Sequence, residues 1–355
     1  MFPRNFWYVA AWDWEIRRQE LMSRTICGTP IVFWRQEDGR PAALEDRCCH
    51  RHMPLSHGKL RGSDVECLYH GLTYDASGAC IRVPSQKAIP PGAAVRSYPV
   101  VERYHWIWIW MGDPALADPA LIEDFHWMDD PAWRAKGERL ELKGNYLLIV
   151  ENLLDLTHLQ FVHPTTLGTA AIAGAPIKAE RAQNRVRVTR WMLDHPAPPF
   201  FQKAGGFGAD EAVDRWQIID FSPPAFVRLD VGAARAGTGA REGDRRRGIS
   251  MRNLNAITPE TETTTHYFWA QAHDFQIDDP TVTELIFRQV HTAFLEDLAV
   301  IEAQQSIISA YGAALPPQVD FNQDAGGIQA RRIVETIIAA ESGDPRALAP
   351  ENLTS

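Results

Sequence analysis

The 355-residue sequence lacks the long apolar segments of a membrane protein. No uninterrupted apolar run approaches the roughly 18 residues that span a bilayer, and the first residues lack the basic and then apolar pattern of a secretory signal. Cationic residues are also too few for a general affinity for phosphate, because 36 Lys and Arg stand against 45 Asp and Glu, a formal net charge of −9. We therefore expect a cytoplasmic protein that binds neither membranes nor nucleic acids.

A dinucleotide-binding fingerprint is also missing. Gly237-x-Gly239 is followed by Glu242 at the position where the third glycine of that motif would stand. If this chain catalyses a redox reaction, its electrons must come from a separate protein.

Cysteine is scarce and unevenly placed. All five cysteines lie in the first quarter of the chain, and in a reducing compartment cysteines more often bind metals or catalyse than form disulfides. Cys48-x-His50 is followed, after 16 intervening residues, by Cys67-x-x-His70. Three interpretations compete: unrelated core residues, a structural zinc site, and a Rieske [2Fe–2S] cluster, in which two cysteines bind one iron and two histidines the other. The pattern favours the cluster.

Two domains are expected from the length and from one break in the pattern. Short strands separated by turn signals precede a segment rich in Pro and Asp at 112–119. We place the boundary there, which gives a first domain at 1–115, a second at 116–345 and a C-terminal tail at 346–355. The second domain is predicted to contain a helix around 145–160, strands near 185–192, 213–221, 225–231, 249–257 and 264–271, and a long helix over about 280–312.

Polar residues on the apolar face of the first predicted helix suggest a second metal site. Asn152, Asp155 and His158 share a face if the helix is regular. His163 can join His158 on one metal only if the helix ends or distorts between them, which Pro164 favours. Histidines with structural partners remain the alternative at this point.

Asp297 supplies the carboxylate that such a site needs. It lies in the middle of the apolar stripe of the long predicted helix, whereas Glu296 and Glu302 lie off that stripe. An unpaired carboxylate there would be costly, and either a metal or a paired Arg would compensate it. Two His and one Asp with open coordination positions form the facial triad that binds Fe(II) in O₂-activating enzymes.

The segments 48–56 and 67–75 resemble the Rieske domain of Rieske non-heme iron oxygenases. Cys49 stands where proline is commoner in that family, so we interpret it as a non-ligand, and Cys27 and Cys80 as buried thiols. The spacing Asn152-x-x-Asp155-x-x-His158-x-x-x-x-His163, with Asp297, matches the mononuclear-iron motif of the same family.

This resemblance implies an α+β fold, in which an all-β Rieske domain precedes a catalytic domain made of a helix-grip-like antiparallel sheet plus helices. It implies a homotrimer in which Asp155 connects His70 of one subunit to His158 of its neighbour. It also implies a [2Fe–2S] cluster, a mononuclear Fe(II), O₂ as co-substrate and an NAD(P)H-dependent flavin or ferredoxin reductase as partner. The implied residues are Cys48, His50, Cys67 and His70 for the cluster, His158, His163 and Asp297 for the iron, and Asp155 and Asn152 as further catalytic residues.

The whole chain is similar to the shorter, trimeric branch of the family, which includes vanillate O-demethylase and the dicamba- and toluenesulfonate-type monooxygenases. The implied activity is that of a terminal oxygenase that hydroxylates a methyl or methoxy group of an aromatic acid, with vanillate or a close analogue as the expected substrate. The alternatives are another aromatic acid of the methylbenzoate, toluenesulfonate or dicamba type, a Rieske electron carrier fused to a binding domain, and a zinc-stabilised binding protein. Because a carboxylate prefers Arg, Asn or His donors, the candidate substrate anchors are Arg190, Arg215, Arg228, Asn253, Asn255 and His266.

Overall fold

The computed structural model describes residues 1–163 and 174–343. The chain forms two compact units: one comprises Met1–Glu123 with Thr258–Glu262, and the other comprises Asp124–Ile257 with the described residues from Thr263 onward. The tail predicted at 346–355 lies outside the described residues. Within the described residues no helix is both long and apolar enough to cross a membrane.

The first unit is built from short antiparallel strands, which confirms the prediction of an N-terminal all-β domain. The strands form three sheets in the orders β1-β10-β9, β2-β3-β4 and β5-β6-β7-β8. Their bounds are β1 Trp7–Trp12, β2 Met22–Ile26, β3 Thr29–Arg35, β4 Pro41–Glu45, β5 Lys59–Arg61, β6 Asp64–Glu66, β7 Thr73–Tyr74, β8 Cys80–Arg82, β9 Val100–Arg103 and β10 Trp106–Trp110.

The second unit is a seven-stranded antiparallel sheet with helices, as the resemblance implied. The strand order is β11-β17-β16-β15-β14-β13-β12. The strands are β11 Arg134–Leu142, β12 Ile177–Ala182, β13 Arg185–Pro196, β14 Ala212–Ser222, β15 Phe226–Arg235, β16 Gly248–Pro259 and β17 Thr265–His273. The helices are α1 Tyr146–Leu154, α2 Leu159–Val162, α3 Pro199–Gly205, α4 Pro280–Tyr311 and α5 Ala325–Glu341.

The helix predicted around 145–160 is wrong in its C-terminal part. Helix α1 ends at Leu154, and the carboxylate of Asp155 accepts hydrogen bonds from the Thr157 N–H at 2.7 Å and the Thr157 hydroxyl at 2.6 Å. Such a side-chain turn competes with the helical hydrogen bonds that would continue the helix. The chain therefore leaves the helix before His158. The condition for a shared metal is met further on, because α2 ends at Val162 and His163 has a non-helical backbone.

Helix α4 was predicted almost to the residue, and its buried stripe contains Asp297. The side chain of Asp297 is buried together with Ala293, Phe294 and Ile301 on the same face. Val300 on the same helix is 47% exposed. The helix therefore presents a carboxylate from an otherwise largely apolar surface to the interior of its unit.

Candidate metal centres

Two loops of the first unit hold their cysteines in the same local geometry. In each loop the N–H of the cysteine, Cys48 or Cys67, donates to the carbonyl of the fifth following residue at 2.8 Å. The cysteine carbonyl accepts from the N–H of the fourth following residue, His52 or Gly71, at 3.0 Å. These fourth residues have positive φ angles of 57° and 72°. The equal hydrogen-bond patterns make the two loops a matched pair.

The paired loops bury their sulfurs and expose their imidazoles. Cys48 and Cys67 are each 2% exposed, whereas the rings of His50 and His70 are exposed, with centroids 4.5 Å apart. Burial raises the pKa of the Cys67 thiol, while main-chain N–H groups that hydrogen-bond its sulfur act in the opposite direction. Two buried sulfurs, one of them with main-chain N–H donors, lie beside two exposed imidazoles and fit the Cys₂His₂ ligand set of a Rieske cluster.

Tyr74 lies beside the first cysteine and was missed by sequence reasoning. Its hydroxyl is 3.1 Å from Cys48 Sγ and 3.2 Å from Cys49 Sγ. Burial raises the pKa of Tyr74 far above its ordinary value, so the hydroxyl keeps its proton and can donate to a thiolate. Cys27 and Cys80 are buried thiols, as expected.

Three side chains of the second unit converge where the iron motif predicted a site. His163 Nε2 lies 3.1 Å and His158 Nε2 3.4 Å from the same oxygen, Oδ1 of Asp297. One potential ligand atom from each residue lies within 4.8 Å of the other two. Asn152 Nδ2 donates to the same oxygen at 3.0 Å.

The other ring nitrogen of each histidine is held by an acceptor. His163 Nδ1 lies 2.7 Å from Glu296 Oε2, and His158 Nδ1 donates to the main-chain carbonyl of Asp155. Both contacts require a hydrogen on Nδ1, which leaves Nε2 as the nitrogen able to ligate a metal. Glu296 was placed off the apolar stripe and given no role from the sequence, so the structure adds it to the site.

The charges of this cluster are strongly coupled. Burial alone would raise the pKa of Asp297, but hydrogen bonds from His158 and His163 outweigh burial and hold the pKa below its usual value. Burial likewise disfavours a charged His163, yet Asp297 and Glu296 raise its pKa above the ordinary value. A buried anionic oxygen facing two Nε2 atoms fits the facial triad that binds Fe(II).

Asp155 contacts His158 through its backbone. Its carboxylate is occupied by Thr157, and it is the Asp155 carbonyl that orients the imidazole. The predicted connection from this carboxylate to His70 of a neighbouring subunit remains a prediction.

The iron-site residues form one wall of an apolar cavity in the second unit. Side chains from α1, α3 and α4, from the turn after α1 and from the facing strands line it, among them Leu156, Phe200, Ile219, Val231, Met251 and Phe294. His158, His163 and Asp297 border the same cavity. A ligand in this space would lie against the proposed metal ligands and away from bulk water.

Arg215 brings a buried positive charge into this cavity. The residue is 6% exposed, and its guanidinium carbon lies 4.9 Å from the ring centroid of Phe201. Burial lowers the pKa of Arg215 to about 10, so the group stays cationic at neutral pH. Among residues 1–163 and 174–343, Arg215 Nε has no hydrogen-bond partner and the guanidinium no carboxylate partner.

Of the six predicted substrate anchors, Arg215 and Asn253 line the cavity. The amide of Asn253 is already engaged, because it accepts from Asn255 at 2.8 Å and donates to Gln271 at 3.2 Å. Arg190, Arg228, Asn255 and His266 are not among the lining residues. Arg190 donates instead to Gln217, Arg228 stacks over Trp127 and donates to a main-chain carbonyl, Asn255 donates to the Val227 carbonyl, and His266 is buried on β17.

Comparisons with known proteins agree with both sites. Residues 6–99 match the Rieske [2Fe-2S] domain, and residues 142–340 match the vanillate O-demethylase oxygenase C-terminal domain. A toluene-4-sulfonate monooxygenase system iron-sulfur subunit of Comamonas testosteroni is 46% identical over 97% of this chain and 99% of its own. A vanillate O-demethylase oxygenase subunit of Pseudomonas sp. (strain HR199 / DSM 7063) is 40% identical over 96% of each chain. A crystal structure of dicamba monooxygenase with non-heme iron and dicamba superposes with a TM-score of 0.83 at 33% identity, covering 96% of this chain and 99% of the other.

Proposed function

The chain belongs to the Rieske non-heme iron monooxygenases, with a Rieske [2Fe–2S] cluster and a mononuclear non-heme iron as cofactors, and on this basis we propose that it hydroxylates a methyl or methoxy group of an aromatic acid. Membership of this family excludes the zinc-stabilised binding protein and the electron carrier, the two alternative classes considered from the sequence.

The observation that carries the substrate class is the buried guanidinium of Arg215 inside the apolar cavity. Removing an unpaired charge from water is costly unless a counter-charge completes the site. The apolar walls suit an aromatic ring, and the guanidinium suits a carboxylate or sulfonate, which it can bind with two parallel hydrogen bonds. An aromatic acid bound in this way places its ring within the cavity that the proposed iron ligands border.

His158, His163 and Asp297 would hold the iron, and Cys48, His50, Cys67 and His70 the cluster. When bound, the iron supplies the activation of O₂. The reaction balances as R–CH₃ + O₂ + two electrons + two protons giving R–CH₂OH and water, and a hydroxylated methoxy group collapses to a phenol and formaldehyde. The protein's part is to orient the substrate through Arg215, to exclude water with the apolar walls and to support Asp297 through Asn152.

The electrons must arrive one at a time from a partner protein. We propose an NAD(P)H-dependent flavin or ferredoxin reductase, since the sequence has no dinucleotide fingerprint of its own. The exposed imidazoles of His50 and His70 are the side of the cluster loops that another polypeptide can approach. A homotrimer with Asp155 connecting two subunits is part of this proposal.

Vanillate is the substrate that the sequence resemblance favours, with formaldehyde as the second product. A second candidate is a methylated arenesulfonate, because the toluene-4-sulfonate relative is 46% identical to this chain and the vanillate relative 40%. Both candidates share an aromatic ring, a methyl-bearing group and an anionic head.

The test is turnover of the purified protein with a reductase and NADH. Vanillate should release formaldehyde or toluene-4-sulfonate should give its hydroxymethyl product, while the neutral counterparts vanillyl alcohol and 4-methylbenzyl alcohol should react at least tenfold more slowly. Equal rates for acids and alcohols would refute the proposed substrate class. No product from any methylated aromatic acid would refute the proposed reaction.

A further inference from the structure

Gln217 lies beside Arg215 at the polar end of the cavity. The two residues occupy alternate positions on β14, and both line the cavity. Arg190 stands directly opposite Gln217 on β13 and donates from its Nε to Gln217 Oε1 at 2.8 Å.

The chemistry of Arg190 fixes which end of the Gln217 amide remains available. A guanidinium has donors and no acceptor, so the Gln217 atom that meets it must be the carbonyl oxygen. The NH₂ group of Gln217 has no hydrogen-bond partner among the described residues. It is therefore a donor at the edge of the cavity, next to the donors of Arg215.

Arg190 is itself fixed in place without lining the cavity. It is 2% exposed, and its NH1 group donates to the Leu156 carbonyl at 3.1 Å. Burial, with the nearby charge of Arg215, lowers the pKa of Arg190 to about 10, which still leaves a cation at neutral pH. Its role is thus separate from direct contact with a cavity ligand.

We propose that Arg190 is a positioning residue, which holds Gln217 so that Gln217 and Arg215 form a donor-only site for a head group with at least two anionic oxygens. This inference rests on the proposed function and adds the residue pair that distinguishes an acid from its neutral counterpart. An alcohol or amide head group, unlike an anionic one, also carries a donor, and Gln217 Oε1 and Asn253 Oδ1 each already accept one hydrogen bond, from Arg190 and Asn255. The site therefore favours an arenesulfonate or arenecarboxylate over neutral analogues.

Equilibrium binding to the metal-loaded protein, without reductase, tests this pair directly. The probes are toluene-4-sulfonate and vanillate, with 4-methylbenzyl alcohol and vanillyl alcohol as neutral controls. Gln217→Leu should raise the Kd of the better-bound anion about tenfold, the usual effect of one hydrogen bond to a charged group. The Kd of the matching alcohol should change less than about threefold. Gln217→Glu should raise the Kd of the anion roughly a hundredfold, because the new carboxylate would itself pair with the guanidiniums of Arg190 and Arg215.

A double-mutant cycle separates positioning from direct contact. Arg190→Lys and Arg190→Met should weaken anion binding in the wild-type background and add nothing in the Gln217→Leu background. The inference would be overturned if the losses of affinity from the Arg190 and Gln217 substitutions were additive. It would also be overturned if Gln217→Leu left the Kd unchanged. The lysine variant keeps the buried charge if the methionine variant does not fold. A wild-type protein that binds neither anion would overturn the proposed substrate class and this inference together, whereas binding without turnover would count against the proposed reaction alone.

Discussion

At the residue scale, a carboxylate outside the three candidate iron ligands contacts one of them. Glu296 accepts from His163 Nδ1 at 2.7 Å, while the neighbouring Asp297 faces Nε2 of the same ring. Consecutive residues of α4 thus act on opposite sides of one imidazole. Glu296 fixes the tautomer and the ring orientation that a metal ligand needs.

We predict that Glu296→Gln will weaken iron binding about 10- to 100-fold, because an amide oxygen supports the imidazole less than a carboxylate does. Iron content after dialysis against graded chelator measures this change, and the visible absorbance of the cluster should be unaffected. Glu302→Gln on the same helix is the matched control, since Glu302 accepts from the Lys143 N–H and not from a metal ligand. Equal iron retention in the two variants would contradict the prediction.

Residue types and spacing predicted the three candidate iron ligands and the neighbouring Asn152, but not Glu296. Asp297 was identifiable because a carboxylate on an apolar stripe needs compensation. Glu296 could not be identified in this way, because it lies beside the stripe and its side chain reaches across to His163. Helical periodicity does not predict such a contact. Arg190 was predicted to bind the substrate because the register between strands could not be derived from the sequence. In the structure, that register places Arg190 opposite Gln217.

At the scale of elements, close packing between neighbouring strands leaves room only for glycine at position 232. A Cβ at Gly232 on β15 would lie 2.1 Å from Trp216 Cζ2 and 2.4 Å from the Ile249 carbonyl oxygen. Trp216 is fully buried, and its Nε1 donates to Asp230 at 2.7 Å, so the ring cannot easily move aside.

Gly232→Ala should therefore destabilise the protein by about 1–3 kcal/mol, the usual cost of an overpacked core. Urea denaturation followed by tryptophan fluorescence measures the change in the free energy of unfolding. Gly208→Ala serves as the control, because its Cβ would meet only Glu211 at an ordinary contact distance of 3.5 Å. The prediction fails if the two variants unfold at the same midpoint concentration of urea.

Elements with strong periodicity were predicted well. Strands β13 to β17 of the second unit follow from alternation, and helix α4 follows from a long apolar stripe. The turn at Asp155, which ends α1, was beyond that method because it depends on one side chain's hydrogen bonds to Thr157. Strands β11 and β12 and helix α5 were not predicted. Each of them has many exposed or half-buried positions, so its apolar residues do not form a clear periodic pattern.

At the scale of the whole molecule, the proposed trimer makes a quantitative prediction about electron transfer. If electrons pass from the cluster of one subunit to the iron of the next, two inactive variants should complement each other. Cys67→Ser removes a proposed cluster ligand, and His158→Ala removes a proposed iron ligand.

Random trimers made by equal co-expression should show roughly a quarter of the wild-type rate, since one neighbouring pair in four joins an intact cluster to an intact iron site in a head-to-tail ring. Product formation per total chain measures the rate, with each variant alone as the inactive control. Co-expressed trimers that stay inactive would place the transfer within one chain.

The proposed donors for the substrate and the proposed ligands for the iron come from different elements of the second unit. Arg215 and Gln217 lie on strand β14, whereas His158 and His163 flank α2 and Asp297 lies on α4. Inheritance can therefore alter recognition and reactivity separately. Substitutions at Arg215 and Gln217 could change which aromatic head group is bound while His158, His163 and Asp297 stay unaltered, which makes β14 the strand to randomise first in directed evolution.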